Sequence, residues 1–398
     1  MRIATASSFN VGVNTLTNRQ AELNKLQDQL ATGKRVNKAS DDPAAAARAE
    51  RALAGEMRSI TNQRSVDASR TAMLQSEAAL GDAGTLLQQA REAVVASGNA
   101  SYSDAERKVR AQELAALRAQ LLTVANRGDG AGGYIFSGQS ATQQPFTDTT
   151  AGVKFSGTTG AMTTDNSVNM PLTDNGAASW LSGRTGNGVF ETRAGTMVSG
   201  AVIDNGHVED PALLTGANYT LQFSVAGGVT SYAVLKDGQA TDVTAAPYQA
   251  GKQITIDGMA LAISGAPADG DSFEIVPATS TLSVFDTLDR AIADLGTPGR
   301  TGSQTAQTVA VGLRDIDSAM SAMEAARSAA GDMLNQIDNE TDRISSQKLS
   351  QQTQRVDAEG LDLIEAYSTF QTKQSSYDAA LKSYSMVQRM SLFDYLGG

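Results

Sequence analysis

The sequence predicts an α + β multidomain protein: an elongated, long antiparallel helical coiled-coil rod formed by both chain ends, with a β-rich domain inserted between them. Three observations carry this. Apolar residues recur in steps of three and four near both ends, the spacing that keeps them on one side of an α-helix. No Gly or Pro falls between Gly360 and Gly397. The middle has the opposite character: 23 of the 37 glycines and six of the eight prolines lie within residues 128–280.

The last helix is the most regular. Leu363, Tyr367, Phe370, Gln374, Tyr377, Leu381, Tyr384 and Gln388 form one continuous seam. A helix of ~35 residues is ~50 Å long, too long to fold over a core of its own. Its seam is stable only where other helices cover it, because an isolated amphipathic helix gains little from its own hydrogen bonds.

At the other end, Leu16, Leu23 and Leu30 recur every seven residues with Leu26 between them, which predicts a coil-forming helix over about 8–31. Gly33 ends it, and a basic turn follows with Lys34, Arg35 and Lys38. Ser40-Asp41-Asp42-Pro43 is a helix start. Asp42 can accept from the orphan N–H groups of the first turn, and Pro43 suits a position that needs no N–H. The helix after it carries Val66, Met73, Leu80, Leu87 and Val94 at steps of seven and runs to about Ala96. Ser103 with Glu106 three residues on forms a capping box for a helix bearing Leu114, Leu117, Leu121 and Val124.

From Gly128 onward, strand and turn signals take over. Hairpin units are expected around 217–236 and 252–276, the second with Asp257-Gly258 as its turn. Helix returns at Leu282, continues through Phe285, Leu288, Ile292 and Leu295, and breaks at Thr297-Pro298-Gly299. A long seam from Val309 to Ile344 then keeps the four/three alternation, with Arg327 and Thr341 among its members. The expected domains are 1–40 plus 356–398, a terminal coiled coil; 41–132 plus 281–355, a helical rod; and 133–280, the β-rich insertion, as one body or two split near residue 200.

Composition narrows the function. The net charge is −11 with no run of Lys or Arg, which argues against nucleic-acid binding. No stretch of 18 apolar residues exists, so no membrane insertion is expected. The opening Met1-Arg2-Ile3-Ala4-Thr5 lacks the charged and apolar regions of a cleaved signal peptide. Cysteine is absent and His207 is the one histidine, so neither a thiolate site nor a histidine-rich metal site can be assembled. No catalytic residues, cofactor or metal are expected.

The remaining motifs read as structure. Gly33-Lys34 lacks the earlier glycine of a phosphate loop, since Asp28 stands there. Arg127-Gly128-Asp129 closes a helix, and Asp269-Gly270-Asp271 has too few acidic neighbours for a calcium loop. His207 beside Glu209 and Asp210 reads as a loop residue.

Residues 30–47, LATGKRVNKASDDPAAAA, resemble the N-terminal region of the flagellin family, with its Gly after the first helix and Asp-Asp-Pro before the second. Three features set the chain apart from flagellin proper: the Met1-Arg2-Ile3 opening, Gly133-Tyr134-Ile135-Phe136-Ser137-Gly138 followed by Pro145-Phe146, and the ending Met390-Ser391-Leu392-Phe393-Asp394-Tyr395-Leu396. The similarity covers about 1–146 and 281–398. It implies a structural subunit of the bacterial flagellum, exported by the flagellar type III apparatus without signal cleavage. Such a subunit is expected outside the cell, as a homo-oligomeric adaptor between a hook-side junction protein and the flagellin filament. A cytoplasmic export chaperone would bind the C-terminal helix first. The assembly interface is then expected on the terminal coil, at Leu16, Leu23, Leu26, Leu30, Leu363, Tyr367, Phe370, Tyr377, Leu381 and Tyr384. The alternatives are a bulk flagellin, or an adhesin or enzyme carried in the β insertion.

Overall fold

The computed structural model describes residues 2–396 apart from 100, 141 and 165–167, and describes side chains between 9 and 386 among these. The seam position Gln388, the opening Met1-Arg2-Ile3 and the side chains of the motif from Met390 to Leu396 therefore lie outside what is described here. The helices are α1 (Arg2–Thr32), α2 (Pro43–Ser97), α3 (Asp104–Ala125), the short α4 (Gly176–Leu181), α5 (Val284–Gly296), α6 (Gly302–Glu359) and α7 (Leu363–Leu396). The chain forms two compact units, residues 1–64 with 340–398 and residues 65–339.

In the first unit, α1 and α7 run antiparallel. As α1 advances from Phe9 through Arg19 to Glu22, its partners fall back from Tyr384 through Ser376 to Lys373. Arg19 Nη1 donates to the Ser376 carbonyl at 2.7 Å, and Lys373 Nζ meets Glu22 Oε2 at 2.7 Å. Gly33 leaves α1 with φ +68°, a conformation that favours glycine. The chain can then bridge Lys34 to Gly360, and Arg35 N donates to the Glu359 carbonyl at 2.7 Å. Helix α1 starts about six residues before the predicted start near residue 8, because Ser, Thr and Asn there dilute the apolar period without breaking the helix.

The second unit has two cores. In the helical one, Leu80, Leu87 and Val94 of α2 are buried against α3, α5 and α6, together with Leu114, Leu121, Phe285, Leu288, Ile316 and Met323. The α3 capping box is present: Ser103 Oγ accepts from Glu106 N, and the Glu106 carboxylate accepts from Ser103 N at 2.7 Å. The hairpin of β1 (Phe146–Thr149) and β2 (Gly152–Phe155) closes this core from outside. Trp180 of α4 stacks on Phe285 at 5.7 Å and packs against Phe136 and Phe146.

The second core lies between two antiparallel sheets. One has the order β3 (Phe190–Ala194), β12 (Ser272–Pro277), β6 (Tyr219–Ala226), β7 (Val229–Lys236), β8 (Gln239–Ala240), with β9 (Ala246–Pro247) also on β7. The other joins β10 (Gln253–Ile256), β11 (Met259–Ser264) and β4 (Val202–Ile203), with β5 (His207–Val208) also on β11. Leu221, Phe273, Ile275, Leu261 and Ile263 are buried between them. Asp257 and Gly258 both have positive φ, 40° and 80°, as a two-residue hairpin turn with the strand twist requires.

The hairpin expected over 252–276 is shorter than its sequence suggests. It ends at Ser264, and β12 crosses to the other sheet between β3 and β6. The cause is the turn at 265–271, where buried Asp271 accepts from the N–H groups of Val198, Ser199 and Ala268 and redirects the chain.

A buried ionic cluster joins α6 to β3. Arg314 pairs with its neighbour Asp315 at 2.9 Å, donates to the Thr192 carbonyl at 2.9 Å and reaches Glu191 at 3.4 Å. Arg290 and Arg193 supply the remaining positive charge, to Asp315 and Glu191.

Candidate assembly surface on the terminal helices

The α1 side of the terminal pair uses Gly12, Leu16, Arg19, Leu23, Leu26 and Leu30, all partly or fully buried and spaced four and three apart. Gly12 admits the Tyr384 ring, which a Cβ there would meet at 3.2 Å. On α7 the residues turned away from solvent are Ala366, Thr369, Phe370, Ser376, Tyr377, Ala380 and Tyr384. One partner helix covers only one stripe of another.

The seam read from the sequence as continuous is therefore split. Phe370, Tyr377 and Tyr384, seven apart, are half-buried on the α1 side. Tyr367, Gln374 and Leu381, also seven apart, are exposed, as is Leu363. Ile364 is 86% exposed and Met386 59%, and α1 adds Phe9, Val11 and Val13 to the exposed apolar residues. Sequence reasoning missed Ile364, Met386, Phe9, Val11 and Val13; Phe9 lies one heptad before Leu16 and Ile364 one position past Leu363, so extending the period would have found these two, whereas the other three stand off the seam. Exposed apolar side chains in series along a helix pair, unlike scattered single ones, make a candidate docking surface.

The helix-start residues lie where the two helices meet the rest of their unit. Pro43 is the first residue of α2, and Asp42 Oδ1 accepts from Ala45 N at 3.0 Å while Oδ2 pairs with Arg35 at 3.2 Å. Asp41 accepts from the N–H groups of Asn37 and Lys38 and pairs with Lys25 of α1 at 3.0 Å. Each carboxylate is held below its ordinary pKa. For Asp42 the leading cause is the Ala45 N–H, then Arg35; for Asp41 it is Lys25, then the Lys38 N–H.

The other motifs take structural places. Arg127 pairs with Asp82 at 2.6 Å, and Asp129 Oδ1 accepts from Ala131 N and Gly133 N, so that tripeptide is locked in its own turn. His207 is exposed on β5. Among the described residues no three His, Cys, Asp or Glu side chains gather as a metal site would require, and no helix is long and apolar enough to cross a membrane. A cavity of about 1000 Å³ lies in the second unit beside the Ala-rich face of α6. Its most perturbed acid is Asp174, pushed up by burial and hydrogen-bonded to Ser76 at 2.9 Å.

The model of the bacterial flagellin N-terminal helical region matches residues 3–141, and that of the C-terminal helical region matches 313–396. The D2-like domain of flagellar hook-associated protein 1 matches 195–277, within the β insertion. Flagellar hook-associated protein 3 of Salmonella typhimurium is 37% identical over 156 residues, which span 38% of this chain and 48% of that protein. The Escherichia coli protein of the same name is 26% identical over 99% of both chains. The crystal structure of FlgL from Xanthomonas campestris superposes with a TM-score of 0.66 at 30% identity, covering 76% of this chain and 99% of that one. The chain belongs to the FlgL family of flagellar junction proteins. The resemblance carried by residues 30–47 is borne out, as is the fold class of terminal helical regions with an inserted β part.

Proposed function

We propose that this chain is the structural adaptor that joins the hook to the flagellin filament, without catalytic activity of its own. The observation that carries the reading is the exposed apolar stripe of the terminal pair, Leu363, Ile364, Tyr367 and Leu381, in a member of the FlgL family. Those residues with Leu16, Leu23, Leu26, Leu30, Phe370, Tyr377 and Tyr384 form the assembly coil. Some hold the pair together, and the others meet neighbouring copies. Each apolar side chain covered in that way contributes ~1.5–3 kcal/mol.

The domains divide the work: residues 1–40 with 356–398 are the terminal coil that assembles, 41–132 with 281–355 the helical rod, and 133–280 the β-rich insertion. The hook-side junction protein and flagellin are the axial neighbours. Before export through the flagellar apparatus, a cytoplasmic chaperone covers the α7 stripe, which would otherwise expose Ile364 and Tyr367 to aggregation.

Gold-labelled antibody against the β insertion tests the reading on intact flagella. A single band at the boundary of hook and filament is the expected result. Label along the whole filament would make the chain a flagellin, and flagella without label would remove it from the organelle. A chain ending at Gly360 should fold yet leave cells non-motile; normal motility would overturn the role given to α7.

A further inference from the structure

A second surface of the first unit gathers positive charge beside a groove. Arg48, Arg51 and Arg58 of α2 are exposed on one side of the helix, within ~15 Å of helix length. Among the described residues none of the three is in an ion pair, although most other arginines of the chain are; the Arg51 guanidinium turns back to the Ala47 carbonyl at 3.1 Å. They border a groove of about 550 Å³ between α2 and α6, with Ala52 and Ala358 along it and Asp357 as its one carboxylate. The helices approach closely because Gly55 has no side chain: a Cβ there would stand 2.7 Å from Gln351. In a chain of net charge −11, three uncompensated arginines beside a small-residue floor present forks to an incoming carboxylate and room for apolar side chains.

We propose that this groove receives the first turn of α7 from a second copy of the chain. That turn has the complementary chemistry. Ile364 is 86% exposed and Tyr367 57%, and Glu365 between them is exposed and outside every ion pair of the described residues. Asp362, whose Oδ1 caps the turn by accepting from Ile364 N and Glu365 N, adds a second negative charge. Groove and turn are different surfaces of the same molecule, so each copy offers both. Such a contact is heterologous: it propagates into a ring or a helical row instead of closing as a pair. The inference rests on reading the terminal unit as the part that assembles.

The absence of cysteine makes the contact directly testable. Ala54→Cys in the groove and Ile364→Cys on α7 are introduced together, and oxidation is followed on non-reducing gels for isolated flagella and for the purified full chain at high concentration. A disulfide forms only where the two Cα atoms come within ~7 Å. The expected result is a ladder of dimers, trimers and higher species that needs both cysteines. Changing Arg48, Arg51 and Arg58 to Glu should reduce the ladder at least tenfold, and adding Glu365→Arg should restore it, with helical content unchanged throughout. A bond within one chain, dimers from either single cysteine, a cross-link to a protein of different mass, or no ladder in both preparations would each overturn the proposal. Gold labelling separates the two readings. A ladder without a junction band refutes the junction role and leaves the groove contact standing, and a junction band without a ladder does the reverse.

Discussion

Arg118 of α3 holds Asp148 of β1 with both prongs of its guanidinium, Nη1 to Oδ2 at 2.7 Å and Nη2 to Oδ1 at 2.9 Å. Nη2 also donates to Asp289 of α5 at 2.9 Å. One largely buried cation thus ties the β1–β2 hairpin and α5 to α3. Arg118→Ala leaves Asp148 and Asp289 uncompensated beside Asp286, which burial already pushes up, with the Asp289 charge adding to it. The expected loss is about 1–2 kcal/mol, the low end for charged hydrogen bonds because the two carboxylates are partly solvated. Denaturant unfolding followed by Trp180 fluorescence reads it, since that ring lies 6.0 Å from Phe146 at the base of the hairpin. Arg118→Lys should recover only part, having no fork.

Asp271 predicts acid sensitivity in the β insertion. Burial raises its pKa, but the Ser199 hydroxyl and the N–H groups of Val198, Ala268 and Ser199 outweigh that, and the net shift is downward. A carboxylate lowered in the folded state contributes stability above its unfolded pKa of ~3.9, and that stability is lost as pH falls through the lower folded value. Asp271→Asn should cost about 1–3 kcal/mol at pH 7. It should also flatten the acid limb of the stability profile measured by urea unfolding between pH 3 and pH 7.

Asp174 has the opposite sign. Burial raises it, and the hydroxyls of Ser76 and Ser179 and the Asn175 N–H only partly offset this. The folded state then keeps the proton longer than the unfolded chain, so stability falls as pH rises through that interval. Asp174→Asn, whose amide oxygen can still accept from Ser76, should be more stable than the parent at pH 7. The gain should vanish below the unfolded range, and parallel melts at pH 3 and pH 7 decide it.

Leu23 and Tyr367 separate pairing from assembly. Leu23 is 9% exposed on the α1 seam, so Leu23→Ala should cost about 2 kcal/mol and speed amide exchange in α1 and α7.

Tyr367→Ser and Leu381→Ser, at exposed positions, should change stability by no more than ~0.5 kcal/mol. Incorporation into flagella should fall all the same, as counted by gold label per flagellum.

Much of this was legible in the sequence where one local rule decides the outcome. Ser103 and Glu106 make their box because both partners lie within one turn of helix. The Val66–Val94 period holds because each of its members is covered: all five are buried. The Asp257-Gly258 turn needs only its own two backbone conformations. What could not be read depends on partners distant in the chain. Nothing in the alternation of β12 says that it will leave β11 for β6. Arg314-Asp315 looks like an exposed polar pair until β3 arrives with Glu191 to bury it. The terminal seam failed for a related reason: a heptad marks which residues seek cover, and one helix, α1, reaches only part of them.

The two-sheet part of the β insertion, beyond residue 183, leaves and rejoins the helical core through a narrow antiparallel neck. Gly183 and Leu282 exchange both backbone hydrogen bonds, at 3.0 and 2.8 Å, and Thr185 N and Ala278 N continue the ladder toward β3 and β12. Chain ends already paired at the neck impose almost no closure penalty on whatever lies beyond, because that penalty grows only slowly with loop length. The neck thus sets the ends of a separable module that is still anchored to the helices: a replacement spliced between Thr185 and Ala278 would remove Glu191 and Thr192, two of the partners of buried Arg314, so an exchanged module has to bring its own acceptors to α6.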